Sequence, residues 1–385
     1  MTDTFLGFER SDGQVGVRNH IGVISIMDNV NPVTRAIADS VAGAVPVTTL
    51  FVRGQYGKDL EMAYNTLAGM GRNPNLNGAV IVGMEETSTN IVADRVRNTG
   101  KPVETILIQE QGGTVNATAA GIRAASRMAI AASRERRKKF PVSELVLGLE
   151  CGGSDTTSGL ASNPALGRAA DRLIAEGGTA VVTETAEFMG AEEIFAERAV
   201  DAGVKKAFIK MVLDHEAEAM KAGVDIRGAN PVPDNIRGGL TTIEEKAMGA
   251  MAKTGTTPLV EVLEYSEAPS RKGLHFMAGS APAVESLTGL AGGGCQLTVF
   301  TTGVGNTIGN MIMPTAKISG NINTIRDFPD NIDFDVSDIL ENDKSFTEMG
   351  DALYDYILDM ASGTITTSEA LKQQETAIMR FGMTI

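Results

Sequence analysis

The sequence predicts an α/β protein, with an N-terminal doubly wound parallel-sheet domain followed by a larger, glycine-rich α/β domain. Three observations predict it. Short apolar runs alternate with helical periodicity through the first 140 residues. The 43 glycines gather just after apolar runs instead of spreading evenly. Pro141, behind a basic run at 134–139, marks a boundary between domains of 1–140 and 141–385.

In the first domain, strands are expected at 21–26, 45–52, 79–82 and 103–108. Helices are expected from Asn31-Pro32 to about residue 41, at 59–69, at 91–98 and, rich in Ala and Arg, at 115–139. Such alternation reads as βαβ units. Ligands of parallel sheets lie beyond the carboxyl ends of the strands. Those ends carry Asp28-Asn29, Arg53-Gly54-Gln55 with Lys58, Glu85-Glu86 and Gln109-Glu110. In the second domain a strand at 145–149 runs into Glu150-Cys151-Gly152-Gly153-Ser154-Asp155, and a helix follows at 163–176. A strand at 179–183 ends in Glu184 and Glu187. Residues 191–222 read as mostly helical with a break near Gly203, 230–242 as a polar loop and 244–252 as a short helix. A strand at 297–301 ends in Thr302-Gly303, and 345–375 reads as acidic helix.

Composition excludes several classes. With 34 basic against 48 acidic residues, the net charge is −14, which repels nucleic acid and anionic lipid. No apolar run is long enough for a membrane span, and no export leader is visible. Two cysteines form no disulfide framework, so a reducing, cytoplasmic setting is expected. No histidine pair has zinc spacing. No GxGxxG follows the first strand, which argues against a nucleotide-binding oxidoreductase.

The stretch 150–163 offers the Glu150 carboxylate, the Cys151 thiol, a glycine pair and the hydroxyls of Ser154, Thr156, Thr157 and Ser158 between a strand and a helix. Glycines let backbone N–H groups approach a ligand, and a helix start attracts anions. Glu150 suits proton transfer, and Cys151 a nucleophile or soft metal ligand. The same stretch equally suits a plain turn capped by Ser or Asp. Glu184 and Glu187 suit a divalent cation or proton transfer, or simply the acidic first turn of a helix. Thr242 with Glu245 fits a capping box, within a loop dense enough in amides and glycine to act as a substrate loop. Lys317 puts an ammonium near the glycine-rich 302–309 loop.

Taken in order, Asp12-Gly13-Gln14-Val15-Gly16-Val17-Arg18-Asn19, the Glu150–Asp155 stretch with Ser158-Gly159 and Asn163-Pro164, Glu184 with Glu187, Gly238-Gly239-Leu240-Thr241-Thr242, Phe300-Thr301-Thr302-Gly303 and Pro314-Thr315 with Lys317 resemble the altronate/galactarate dehydratases. The resemblance runs from about residue 7 to the C-terminus. It implies a lyase that removes water across C2–C3 of a sugar acid, with a divalent metal, typically Fe2+. Such chemistry needs a base for the proton α to the carboxylate and an electrophile for the developing enolate.

Two departures qualify the resemblance. Many relatives carry a small N-terminal domain, whereas this sequence starts almost at the main domain; that module is expected as a separate small subunit. At loop positions where the sugar-acid members tend to have cysteines stand Asn29, Lys58 and Glu86. That loss weakens the case for a soft-ligand iron site, and Arg53 and Lys58 suit an oxyanion. Both departures fit a sulfo-lyase branch of the family, which pairs with a small subunit and eliminates sulfite from 3-sulfolactate to give pyruvate. A sugar-acid dehydratase and a non-catalytic subunit are the alternatives.

The resemblance therefore implies a small anionic 2-hydroxy acid as substrate, a small partner subunit and a homo-oligomer, with no nucleic acid or membrane partner. The expected cleft lies between the two domains. Glu150, Glu184 and Lys58 are the expected catalytic residues. Arg18, Asn19, Asn29, Arg53, Gly152, Gly153, Ser154, Asn163, Thr241, Thr242 and Lys317 are expected to bind substrate, and Glu150, Cys151 and Glu187 to hold a metal.

Overall fold

A computed structural model of the chain describes residues 3–384. It is an α/β structure with two parallel sheets, as the strand–helix alternation predicts. The N-terminal sheet runs in the order Ala44–Val47, His20–Ser25, Leu76–Gly83, Val103–Leu107. Helices Asn31–Asp39 and Thr114–Ala132 pair on one face, and Gly57–Arg72 and Glu86–Arg97 on the other. Leu76–Gly83 is almost wholly buried because both faces are covered, which is why it reads as a continuous apolar run.

The C-terminal sheet has seven parallel strands, in the order Leu259–Leu263, Gly273–Met277, Thr179–Val182, Val146–Cys151, Leu297–Thr301, Thr315–Ser319, Phe334–Asp335. The chain leaves Val146–Cys151 toward one side and returns on the other through Leu297–Thr301. These two strands therefore flank a topological switch point, where ligands of open α/β sheets bind. No described helix is long and apolar enough to cross a membrane.

Several expected elements differ. The helix expected over 115–139 stops at Ala132, and Lys138–Pro141 is instead a strand paired antiparallel with Thr4–Glu9. Pairing with a segment at the far end of the domain overrides the local helix propensity. The strand expected over 45–52 stops at Val47, and the segment beyond it is irregular. The 345–375 region divides into Phe346–Ser362 and Thr367–Ala370. Thr4–Glu9, though it opens the chain, packs against Phe346–Ser362 of the C-terminal region.

The two regions are joined at one seam. Asn73 Nδ2 donates to the carbonyls of Ala291 and Cys295, both at 2.9 Å. Asn75 Nδ2 donates to Gln296 at 2.6 Å and Ile312 at 2.8 Å. Helix Gly57–Arg72 packs on helix Ala283–Gly292 so closely that a Cβ on Gly69 would lie 2.2 Å from the Gly292 carbonyl oxygen.

Candidate active site

At the C-terminal switch point the loops after the two central strands are tied to each other. Gly152 N donates to Thr301 O, and the N–H groups of Gly303 and Val304 both donate to Gly153 O, each at 3.0 Å. Gly152 has no room for a side chain, since a Cβ would meet the Phe300 ring at 2.6 Å. This arrangement fixes the last residues of Val146–Cys151, whose side chains alternate between the two sheet faces.

On one face, Cys151 joins a buried ion-pair cluster. Lys253 Nζ bonds Glu184 Oε2 and donates to Cys151 Sγ at 2.9 Å. Cys151 N also donates to Glu184 Oε2 at 3.2 Å. The Lys253 and Glu184 side chains are 0% and 1% exposed. Beside them Glu187 Oε1 pairs with Lys246 Nζ at 2.9 Å, and Lys246 also donates to Asn230 Oδ1 and Asn235 Oδ1. Two carboxylates three residues apart on the turn Thr185–Phe188 and its cap thus meet two lysines seven residues apart at helix Ile243–Ala252. Seven residues is two helical turns, which places both ammonium groups on one face. Burial works to discharge Lys253, and the paired Glu184 carboxylate works to keep it charged. Burial, then Glu184, pushes the Cys151 thiol up, so it stays protonated.

Glu184 sits in the left-handed region, φ 73° and ψ 66°, unusual for a residue with a side chain. The turn beyond it is anchored by Phe188, stacked edge-to-face on Phe195 at 4.9 Å and Phe276 at 4.8 Å. Phe188→Ala is expected to lower the unfolding free energy by about 3–5 kcal/mol, read from urea denaturation. An unchanged midpoint would show that the turn does not depend on this stack.

On the other face lie Glu150, Phe300 and Lys317, side by side on three adjacent strands. Phe300 is in register with both Glu150 and Lys317. Neighbouring strands are about 4.8 Å apart, which puts the Glu150 and Lys317 backbones roughly 10 Å apart across the phenyl ring. Both charged residues are fully buried. Glu150 Oε1 accepts from Ser286 Oγ, and Oε2 has no partner. Burial, then the charge of Glu184, raises the Glu150 carboxyl well above the usual range, so it carries its proton. Burial pulls Lys317 down to about 8, against the opposing effect of Asp333. Lys317 Nζ donates to Ile308 O at 3.1 Å and Gln373 Oε1 at 3.2 Å. A neutral amine has two N–H bonds; with both used here, its lone pair is left over. A protonated acid with one oxygen unpartnered and an amine pulled down toward neutrality therefore share one sheet face. Environments that drive two pKa values apart define acid and base roles.

Comparison with known proteins now bears on this site. Residues 142–384 match the family model for the C-terminal domain of D-galactarate/altronate dehydratase, and residues 7–133 that for the second domain of D-galactarate dehydratase/altronate hydrolase. The chain belongs to the altronate/galactarate dehydratase family. It is 39% identical over 379 residues to (2R)-sulfolactate sulfo-lyase subunit beta of Chromohalobacter salexigens, covering 98% of this chain and 97% of that one. It is 31% identical to altronate dehydratase of Bacillus subtilis over 99% of this chain and 78% of that one. Galactarate dehydratase (L-threo-forming) of Escherichia coli is 30% identical over 94% of this chain and 73% of its own length.

The family signature 150–155 lies at the switch point, and the structure gathers Glu150, Cys151, Glu184, Glu187 and Lys317 around the ends of these strands. Gly152, Gly153 and Ser154 form the loop between the two faces. Ser154 and Asn163 line a cavity of 270 Å³ on the ion-pair side, together with Asp155 and Lys246. Asn163 itself is engaged, accepting from Thr301 Oγ1 at 2.6 Å and donating to Gly249 O at 2.8 Å. Thr241 and Thr242 are exposed, and they cap helix Ile243–Ala252 through Glu245. Asn29, Arg53 and Lys58 are exposed on the carboxyl edge of the other sheet.

Arg18 and Asn19 are not placed for substrate. They precede strand His20–Ser25, at the opposite edge from Asn29, Arg53 and Lys58. All five Arg18 donors are engaged, two by Glu369 at 2.6 and 2.9 Å and the rest by the carbonyls of Val17, Met360 and Thr364. Asn19 holds Arg10 and the Ala132 carbonyl. The sequence reading missed Lys253, Lys246 and Ser286. The seven-residue spacing of two lysines at an Ala/Met/Gly helix was the available signal for the first two.

The donor set does not suit the divalent metal that the dehydratase family implies. Lys253 lies against Cys151 and Glu184, Lys246 against Glu187, and Glu150 is held protonated. A cation would have to displace an ammonium at each step. Among the described residues, no three His, Cys, Asp or Glu side chains are grouped to hold a metal ion.

Proposed function

We propose that this chain is the large subunit of a sulfolactate sulfo-lyase, eliminating sulfite from 3-sulfolactate to give pyruvate. The observation that carries the chemistry is the Glu150–Lys317 pair, an acid and a base opposed across Phe300 at the switch point. The choice of leaving group rests on the match to a sulfo-lyase beta subunit over nearly the full length of both chains.

Neutral Lys317 takes the proton from C2, next to the substrate carboxylate. The Glu150 Oε2–H group donates a hydrogen bond to that carboxylate as negative charge moves onto it, much as a buried carboxylic acid serves as an electrophile elsewhere. The electron pair forms the C2–C3 double bond, and the C3–S bond breaks with its electrons leaving on sulfite. The enol takes a proton at C3 from Lys317, and its hydroxyl proton leaves with sulfite as hydrogensulfite. Glu184 and Lys253 are positioning residues: their charges, on the far side of the sheet, act on the Glu150 proton, Glu184 to hold it and Lys253 to release it. Ile308 O and Gln373 cover Lys317, so substrate access requires the 303–310 loop, with glycines at 303, 305 and 309, to move aside.

The proposal extends to a small partner subunit, supported by the subunit designation of the sulfo-lyase relative. It also extends to a reducing compartment, which two buried free thiols suit. A second reading, loss of water from altronate or galactarate, is supported by the relatives at 30 and 31% identity. The test is a release assay on the chain with its small subunit, offering 3-sulfolactate, altronate and galactarate separately. Equal amounts of sulfite and pyruvate from 3-sulfolactate alone are expected. A 2-keto-3-deoxy acid without sulfite would establish the second reading, and no keto acid from any substrate would overturn both.

A further inference from the structure

The Glu150 carboxyl has two oxygens, and the fold treats them differently. Oε1 faces the hydroxyl of Ser286, while Oε2 has no hydrogen-bond partner. Both residues are wholly buried, so water does not even out the difference. Glu184, Lys253 and Glu187, whose charges act on Glu150, make no hydrogen bond to its oxygens. The nearby phenol of Tyr265 donates instead to the Glu285 carbonyl, at 2.5 Å. Among the described residues, Ser286 is thus the one donor to this carboxyl.

Where the Ser286 hydrogen points decides where the Glu150 proton sits. A hydroxyl has one hydrogen to give. Ser286 lies near the start of helix Ala283–Gly292, which packs on helix Gly57–Arg72. From there its oxygen also approaches the carbonyls of Pro282 and Ala283, at 3.4 and 3.2 Å. Both contacts are longer than the one to Glu150. Pro282 O is moreover already occupied, accepting from the N–H groups of Glu285 at 2.9 Å and Ser286 at 3.2 Å. The hydrogen therefore goes to Glu150 Oε1. An oxygen that receives a hydrogen bond along this line cannot also point a proton back along it, so the acid proton resides on Oε2.

We propose that Ser286 is a positioning residue: by donating to Oε1 it pins the Glu150 proton on Oε2, the oxygen left free for the substrate carboxylate. The inference rests on the acid role given to Glu150 above, and assigns the choice of oxygen to a neutral serine on a helix outside the sheet. The Oε2–H group gains its first partner only when an acceptor arrives. A ligand with an amine at that point would leave the buried hydrogen unpaired, so the pinned proton also selects for a carboxylate.

The test reads the proton both without and with turnover. In the infrared spectrum of the full chain, the carboxylic C=O band that Glu150→Gln removes belongs to Glu150. A hydrogen bond to the carbonyl oxygen lowers that stretch, so Ser286→Ala should move the band to higher wavenumber. An unmoved band would place the proton on Oε1, and no such band would mean an ionised Glu150; either would overturn the proposal. Ser286→Cys, close in volume but a weaker donor, should fall between, and it carries the test if Ser286→Ala does not fold. In turnover, Ser286→Ala should lower kcat by about 2- to 10-fold, the worth of one hydrogen bond. The alkaline fall in rate should move to higher pH, because the lost hydroxyl favoured the carboxylate. A lower kcat with an unmoved alkaline fall would show a merely structural serine and overturn the proposal. A shifted band in a chain that turns over none of the three acids would uphold the proton placement and overturn the lyase reading.

Discussion

Lys317→Met is expected to lower kcat by roughly 10²- to 10⁴-fold, the range of a lost general base. Methionine keeps the length and apolar stem of the buried lysine, so the strand Thr315–Ser319 should keep its packing. In the parent enzyme the reactive form is the neutral amine. The amine is pulled down to about 8, so kcat/KM should climb tenfold per pH unit below about pH 8 and level off above it. The rate should fall again at higher pH as the Glu150 carboxyl ionises, because its proton is then no longer available to the substrate carboxylate. Glu150→Gln keeps a donor and should remove the alkaline fall while leaving the rise near pH 8. A pH–rate profile flat through pH 8, or full turnover by Lys317→Met, would end the assignment of Lys317 as base.

Lys253→Met carries the largest expected effect on stability. Breaking one side of a buried pair leaves the other charge uncompensated, at a cost of about 3–5 kcal/mol. Here the stranded group is Glu184, 1% exposed and fixed by its left-handed backbone, so it cannot swing to water. Its remaining options are the Cys151 N–H and taking up a proton. The double variant Lys253→Met with Glu184→Gln removes both charges, and its loss should be smaller than the sum of the single losses. Urea denaturation of the four proteins forms the cycle. Strictly additive losses, or a single loss below ~1 kcal/mol, the range of exposed pairs, would mean that the pair is not electrostatically coupled.

The legibility of this fold in its sequence followed the chemistry of each element. The N-terminal sheet was readable because its strands alternate with helical periodicity, and its central strand Leu76–Gly83 ends in an apolar run. Thr315–Ser319 was not, because Lys317 breaks its apolar run with a charge that belongs to the site. The helix beyond Ala132 was overextended for the opposite reason: Arg and Lys at 134–139 favour helix locally, and only pairing with Thr4–Glu9 turns that stretch into strand. The carboxylates of the site were legible because they stand at strand ends. Lys253 was not, since a lysine closing an apolar helix reads as a solvent-facing end favoured by the dipole. Arg18 was misassigned because its partner, Glu369, comes near only through the fold.

The final stretch of polypeptide has a consequence of its own. Gln373 touches the amine of Lys317, and a few residues on, Arg380 and Phe381 clasp Phe51 and Asp59. One ribbon is thus moored to both regions, at a buried strand lysine and at the loop and helix that follow Ala44–Val47. Losing that ribbon would strip a contact from each region at once.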